Sequence, residues 1–156
     1  MANTYTQLYI HIVSVVRGRM SLIPDNHKIE LYKYMTGIIQ NKGHKLLAIN
    51  GMPDHVHFLI GYDPHEALSA LVKEVKLCST NFINEKGWIK GRFSWQEGYG
   101  AFSYAKSQLN TVCRYIENQE QHHKKQTFRE EYVALLKRYE INYDERYVFS
   151  NVMEEY

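Results

Sequence analysis

The chain has 156 residues, 44% of them hydrophobic and 23% charged, with a formal net charge of +2. That is ordinary globular composition for one domain with a buried core, and no stretch approaches the ~18 uninterrupted apolar residues of a membrane span. So small a positive charge permits a polyanionic partner without requiring one, and any basic patch has to be local.

The N-terminus "MANTYTQLYIHIVSVVRGR" has no basic start followed by an apolar run and a small-residue cleavage site, which reads as no signal peptide, no membrane attachment and a cytoplasmic protein. Residues 5–16, "YTQLYIHIVSVV", are β-branched and aromatic without a helical period, a strand buried on both faces. From Asp25 to Asn41, residues Ile29, Leu31, Tyr32, Met35, Ile38 and Ile39 recur at helical spacing, and Gly43 stands where a cap belongs. "HKLLAIN" and "HVHFLIGY" read as a hairpin around the turn "GMPD". Asp63, Pro64 and Glu66 form a capping signature for a second helix, whose stripe Leu68, Leu71, Val72, Val75, Cys78 and Phe82 runs to Gly87.

"RFSWQEGYGAFSYA" is aromatic and interrupted by glycines, a fourth strand with a bulge or irregular edge. Leu109, Val112, Cys113 and Ile116 mark a third helix running to about Lys124. Thr127 and Glu130 make a capping box that opens a fourth helix with the stripe Phe128, Tyr132, Leu135, Leu136 and Tyr139. Residues 141–156 lack a period and read as a surface arm of the single domain 1–156. Cys78 and Cys113 lie in helical patterns, as buried free thiols of a reducing compartment would. The order β-α-β-β-α-β followed by helices predicts an α+β, ferredoxin-like (RRM-like) antiparallel sheet with the first and third strands central.

Two histidines stand one residue apart in the third strand. Side chains alternate there, so His55, His57 and Leu59 face one way and Val56, Phe58 and Ile60 the other. If the apolar side packs on the helices, the histidines lie on the open face, with His11 possible beside them. Two imidazoles at i, i+2 suit a divalent metal, although such a pair can also simply cap the hairpin. In the third helix Tyr115 and Gln119, at i, i+4, share a rim offset from the core stripe. Alone, they fit a half-buried tyrosine and a solvated glutamine equally well.

Together these motifs resemble the single-tyrosine HUH transposases, which move insertion sequences as single-stranded DNA. His55, Val56 and His57 supply the histidine–hydrophobic–histidine signature, and "MPDHVH", "FSWQEGYGAFSYA" and "YIENQEQHHKKQTFREEY" follow in the family's order. The resemblance implies Tyr115 as nucleophile and His55, His57 and Gln119 as metal ligands, with Asp54 and His11 near enough to join. It also implies a 5′-phosphotyrosine intermediate, recognition of DNA hairpins at element ends, and rejoining of strands by a free 3′-hydroxyl. Free tyrosine, with a pKa of ~10, needs a polarised phosphate to attack at neutral pH, a task for Mg²⁺ or Mn²⁺.

Phosphate contacts would come from Lys73, Lys76, Lys90, Arg92, Arg114, His122, His123 and Lys124, with Lys125 and Arg129 beyond them, and base stacking from Trp95, Tyr99 and Phe102. The resemblance also implies a homodimer with active sites shared between subunits, and the glycine-containing fourth strand and polar connector "SYAKSQ" could let the third helix swing out and present Tyr115 to a partner's histidines. Three rivals stand beside this reading. A phosphodiesterase with paired histidine motifs needs a second such strand, which is missing. Replication initiators and relaxases generally carry a second tyrosine or a third histidine. A domesticated, non-catalytic hairpin-binding protein would have no need of the full set of four residues.

Overall fold

A computed structural model describes residues 3–148. Strands β1 (Tyr9–Val15), β2 (Lys45–Met52), β3 (His55–Gly61) and β4 (Gly100–Tyr104) form one antiparallel sheet in the order β2-β3-β1-β4. The first and third strands are therefore central and adjacent, as the element order predicts. Helices α1 (Lys28–Asn41) and α2 (Leu68–Lys86) connect them, and α3 (Leu109–Glu117), α4 (Gln119–His122), α5 (Phe128–Arg138) and α6 (Glu145–Val148) follow. No helix among the described residues is long and apolar enough to cross a membrane.

The period-2 pattern of the central strands sorts side chains onto two faces. Ile12, Val56, Phe58 and Ile60 pack with Leu31, Met35 and Ile39 of α1 and Leu71, Val72 and Val75 of α2. The histidine face, expected to be open, is covered. Val112 and Ile116 of α3 sit on Leu59 and Ala48, while Phe128, Tyr132, Leu135 and Leu136 of α5 sit on Val13, Val15 and Phe102. Both helices carry an apolar stripe that has to leave water, and this sheet face offers the matching surface.

Several boundaries differ from the sequence reading. Helix α2 starts at Leu68; Asp63 instead accepts the His65 N–H at 3.0 Å and closes a local turn. The fourth strand is shorter than its aromatic stretch, with Trp95 making an isolated bridge to Val16 and Gly98 at φ 80° turning the chain between them. The third helix breaks at Asn118, so that α3 and α4 are separate pieces. Ile29 is 57% exposed and off the α1 stripe. Cys78 and Cys113 are free but only half-buried. In the expected surface arm, Tyr143 and Val148 pack partly buried beside α5, and 149–156 lie outside the described residues.

Candidate active site

Strand β3 aims His55 and His57 into the layer under α3–α5, and both are fully buried. His11, from the neighbouring β1, is buried on the same face. The β2–β3 hairpin needs Gly51 there, because a Cβ at that position would lie 2.2 Å from the His55 carbonyl oxygen. The break at Asn118 turns Gln119 inward, where it is fully buried, one turn after the half-buried Tyr115. Glu131, which the sequence reading did not single out, enters from the first turn of α5 at 2% exposure. The expected capping box holds that turn: Thr127 Oγ1 accepts the Glu130 N–H at 3.2 Å.

These groups converge. His57 Nε2 lies 2.8 Å from Glu131 Oε1, and His57 Nδ1 lies 2.7 Å from His11 Nε2. His55 Nδ1 is 2.7 Å from Asp54 Oδ1, and its Nε2 is 3.1 Å from Gln119 Oε1. The Gln119 amide donates to the Tyr115 carbonyl and to Glu131 Oε2, both at 3.4 Å. The Tyr115 ring stands edge-on to His57 of its own chain, centroids 5.8 Å apart. Next to it a cavity of about 440 Å³ opens between α3 and α5, lined by Tyr104, Thr111, Tyr115, Glu131 and Arg138 among others.

Burial dominates the titrations. It pulls His57 down to about 4 even though the Glu131 carboxylate favours the imidazolium, and it holds His11 well below its ordinary value. Burial also pushes Glu131 up, but the His57 hydrogen bond, its charge and the Tyr115 hydroxyl outweigh it, leaving Glu131 at about 2. Burial and that same carboxylate hold the Tyr115 phenol well above its usual range.

The donor set fits a divalent cation. When its Nδ1 gives a proton to Asp54, His55 can turn a lone pair at Nε2 toward another acceptor, Gln119 Oε1. A cation between them satisfies both. His57 can likewise place its ring proton on Nδ1, toward His11, and free Nε2. The ligand atoms of His55, His57 and Glu131 all lie within 4.8 Å of one another. A second trio, His44, His65 and Glu66, is equally close. There, His44 Nδ1 accepts the Asp63 N–H at 3.0 Å, so its Nε2 carries a proton toward Glu66 Oε1 at 2.8 Å and has no lone pair to offer.

The expected DNA contacts divide. Arg114 and Lys124 are exposed on the α3–α4 side. His122 packs against Tyr115, centroids 4.7 Å apart, and His123 turns into the site, its Nε2 3.1 Å from Gln119 Oε1. Lys73 is exposed on α2, across the sheet from the histidines, and Lys90 and Arg92 are exposed in the loop after α2. Lys76 donates to the carbonyls of Gln96 and Gly98 and is tied to the fold. Trp95 and Phe102 are buried core, which leaves Tyr99, 37% exposed, as the accessible ring of the three.

The family model described as "Transposase IS200 like" matches residues 4–119. The ISDra2 transposase TnpA of Deinococcus radiodurans is 26% identical over 120 residues, 72% of this chain and 84% of that relative. Two solved structures share the fold. A Deinococcus radiodurans R1 protein solved as a candidate transposase at 1.90 Å aligns with TM-score 0.60 and 24% identity, over 75% of this chain and 94% of its own. A REP-associated tyrosine transposase bound to a REP hairpin aligns with TM-score 0.59 and 14% identity, over 78% of this chain and 72% of its own. With the family model spanning most of the chain and the paired histidines and tyrosine meeting on one sheet face, the protein belongs to the IS200-like, single-tyrosine HUH transposases.

Proposed function

We propose that the protein binds hairpins in single-stranded DNA and cleaves and rejoins strands through a covalent tyrosine intermediate. One observation carries this reading: Tyr115, His55, His57 and Gln119 meet in one buried site of a single chain, beside a cavity. Tyr115 Oη gives up its proton as it attacks the scissile phosphorus, the P–O3′ bond breaks, the departing 3′-oxygen takes up one proton in exchange, and a 5′-phosphotyrosine ester remains. A free 3′-hydroxyl reverses the step, and because one phosphodiester replaces another no nucleotide cofactor is consumed. A Mg²⁺ or Mn²⁺ held by His55, His57 and Gln119 supplies Lewis-acid polarisation of the phosphate. Asp54 and His11 orient the two imidazoles from behind. The hairpin bound by a relative of the same fold supports the substrate class.

A homodimer, holding two DNA ends at once, belongs to the same proposal. The position of Tyr115 beside its own His57 favours sites complete within each protomer over tyrosines exchanged between them. The test of the function is cleavage of labelled hairpin oligonucleotides, single-stranded against duplex, with Mn²⁺, Mg²⁺ or chelator. Metal-dependent nicking confined to the single strand is the expected result. Tight hairpin binding without any nicking would leave the domesticated, non-catalytic reading in its place.

A further inference from the structure

Building on the metal-site reading above, we propose that Glu131 is a fourth protein ligand of the cation, a carboxylate delivered by α5 from outside the stretch that the family model matches. Its Oε1 lies 2.8 Å from His57 Nε2 and 3.7 Å from His55 Nε2. Gln119 Oε1 lies 3.1 Å from His55 Nε2. In an octahedral sphere with ligands at roughly 2.1 Å, neighbouring donors stand ~3.0 Å apart; the 2.8 Å and 3.1 Å separations are close to that edge, and the 3.7 Å one has to shorten as a cation draws Glu131 and His55 together.

The charge of the site points the same way. Two neutral imidazoles and an amide carry no negative charge to offset a dication, and the buried carboxylate at their centre supplies it. Its ionic contacts are to His55, His57 and His123, all of them imidazoles. Glu131 Oε2 accepts from the Gln119 amide at 3.4 Å, which keeps Gln119 Oε1 turned toward His55. Two nitrogen and two oxygen donors favour Mn²⁺ over Mg²⁺.

The test is Mn²⁺ binding to the full chain without DNA, read from the free-ion signal in electron paramagnetic resonance. E131Q, which keeps the shape and removes the charge, is expected to weaken binding by about tenfold or more, comparable to the 10–100-fold lost on altering a metal site's supporting groups. On the wild-type protein with ¹³C-labelled glutamate carboxylates, Mn²⁺ should show one directly bound carboxylate carbon by electron–nuclear double resonance, a readout that needs no variant. Folded E131Q with affinity within twofold of wild type, or no such carbon coupling, overturns the assignment while leaving the metal site itself standing. A wild-type protein that binds no Mn²⁺ overturns the metal reading and this assignment with it.

Discussion

Phe128 lies flat on His55, ring centroids 3.8 Å apart and planes 18° from parallel. The first turn of α5 thus clamps one imidazole with Phe128 and meets the other with Glu131, one helical turn further on. Phe128 is buried at 5% exposure within the apolar cluster under α5. Phe128→Ala should therefore cost about 3–5 kcal/mol in urea denaturation and weaken metal binding as well. Phe128→Leu should recover most of the stability but not the ring stack. A loss below about 1 kcal/mol for the alanine variant would mean that α5 does not hold the site.

In chelator, stability should depend on pH in one direction. His57 has a folded value of about 4, against an ordinary 6.5, so the unfolded chain takes up this proton first as pH falls. The contribution is complete above about pH 6.5 and is lost toward pH 4. Glu131, at about 2 against 4.5, extends the loss below that window. Denaturation free energy should drop by on the order of a few kcal/mol between pH 7 and 4, and His57→Gln should flatten the upper part of the curve. A flat wild-type profile across that range would contradict the buried, neutral His57.

Much of this was legible in the sequence. Strict alternation in "HVHFLIG" placed His55 and His57 on one face, and a 3.6-residue period marked α1 and α2. The covering of the histidine face was not legible, because a stripe shows that a helix packs without showing on what. Asp63 and Pro64 look like a helix start, yet Asp63 binds His65 locally and α2 begins later. Glu131 had one readable signal: it stands three residues after Phe128 and four before Leu135, a charge inside an apolar stripe. In the first turn of a helix an acid is ordinarily read as a partner of the helix dipole, which hides that signal.

The lysines and arginines separate by a salt titration. Arg114 is exposed beside the tyrosine, so Arg114→Ala should weaken binding of single-stranded DNA and reduce the slope of log affinity against log salt by about 0.7. Lys76, bound to backbone carbonyls, should behave differently: Lys76→Met should lower the melting temperature and leave the salt slope unchanged. Equal slopes for Arg114→Ala and wild type would remove Arg114 from the DNA surface.

Mixing Tyr115→Phe protein with His57→Ala protein, after verified subunit exchange, should yield no cleavage if each protomer uses its own tyrosine. Recovery of activity in the mixture would show that tyrosines are exchanged between subunits, against the 5.8 Å placement of Tyr115 beside its own His57.

The covalent step is the centre of the account. Incubated with a 5′-labelled or 3′-labelled hairpin oligonucleotide in Mn²⁺ and then denatured, wild-type protein should retain the 3′-side fragment through its 5′-phosphate and release a fragment ending in a 3′-hydroxyl. Peptide mapping should place the adduct on Tyr115, and Tyr115→Phe should bind the hairpin normally yet form no adduct. A denaturant-resistant complex formed by Tyr115→Phe, or an adduct mapped to another residue, would contradict the assignment of Tyr115 as the nucleophile.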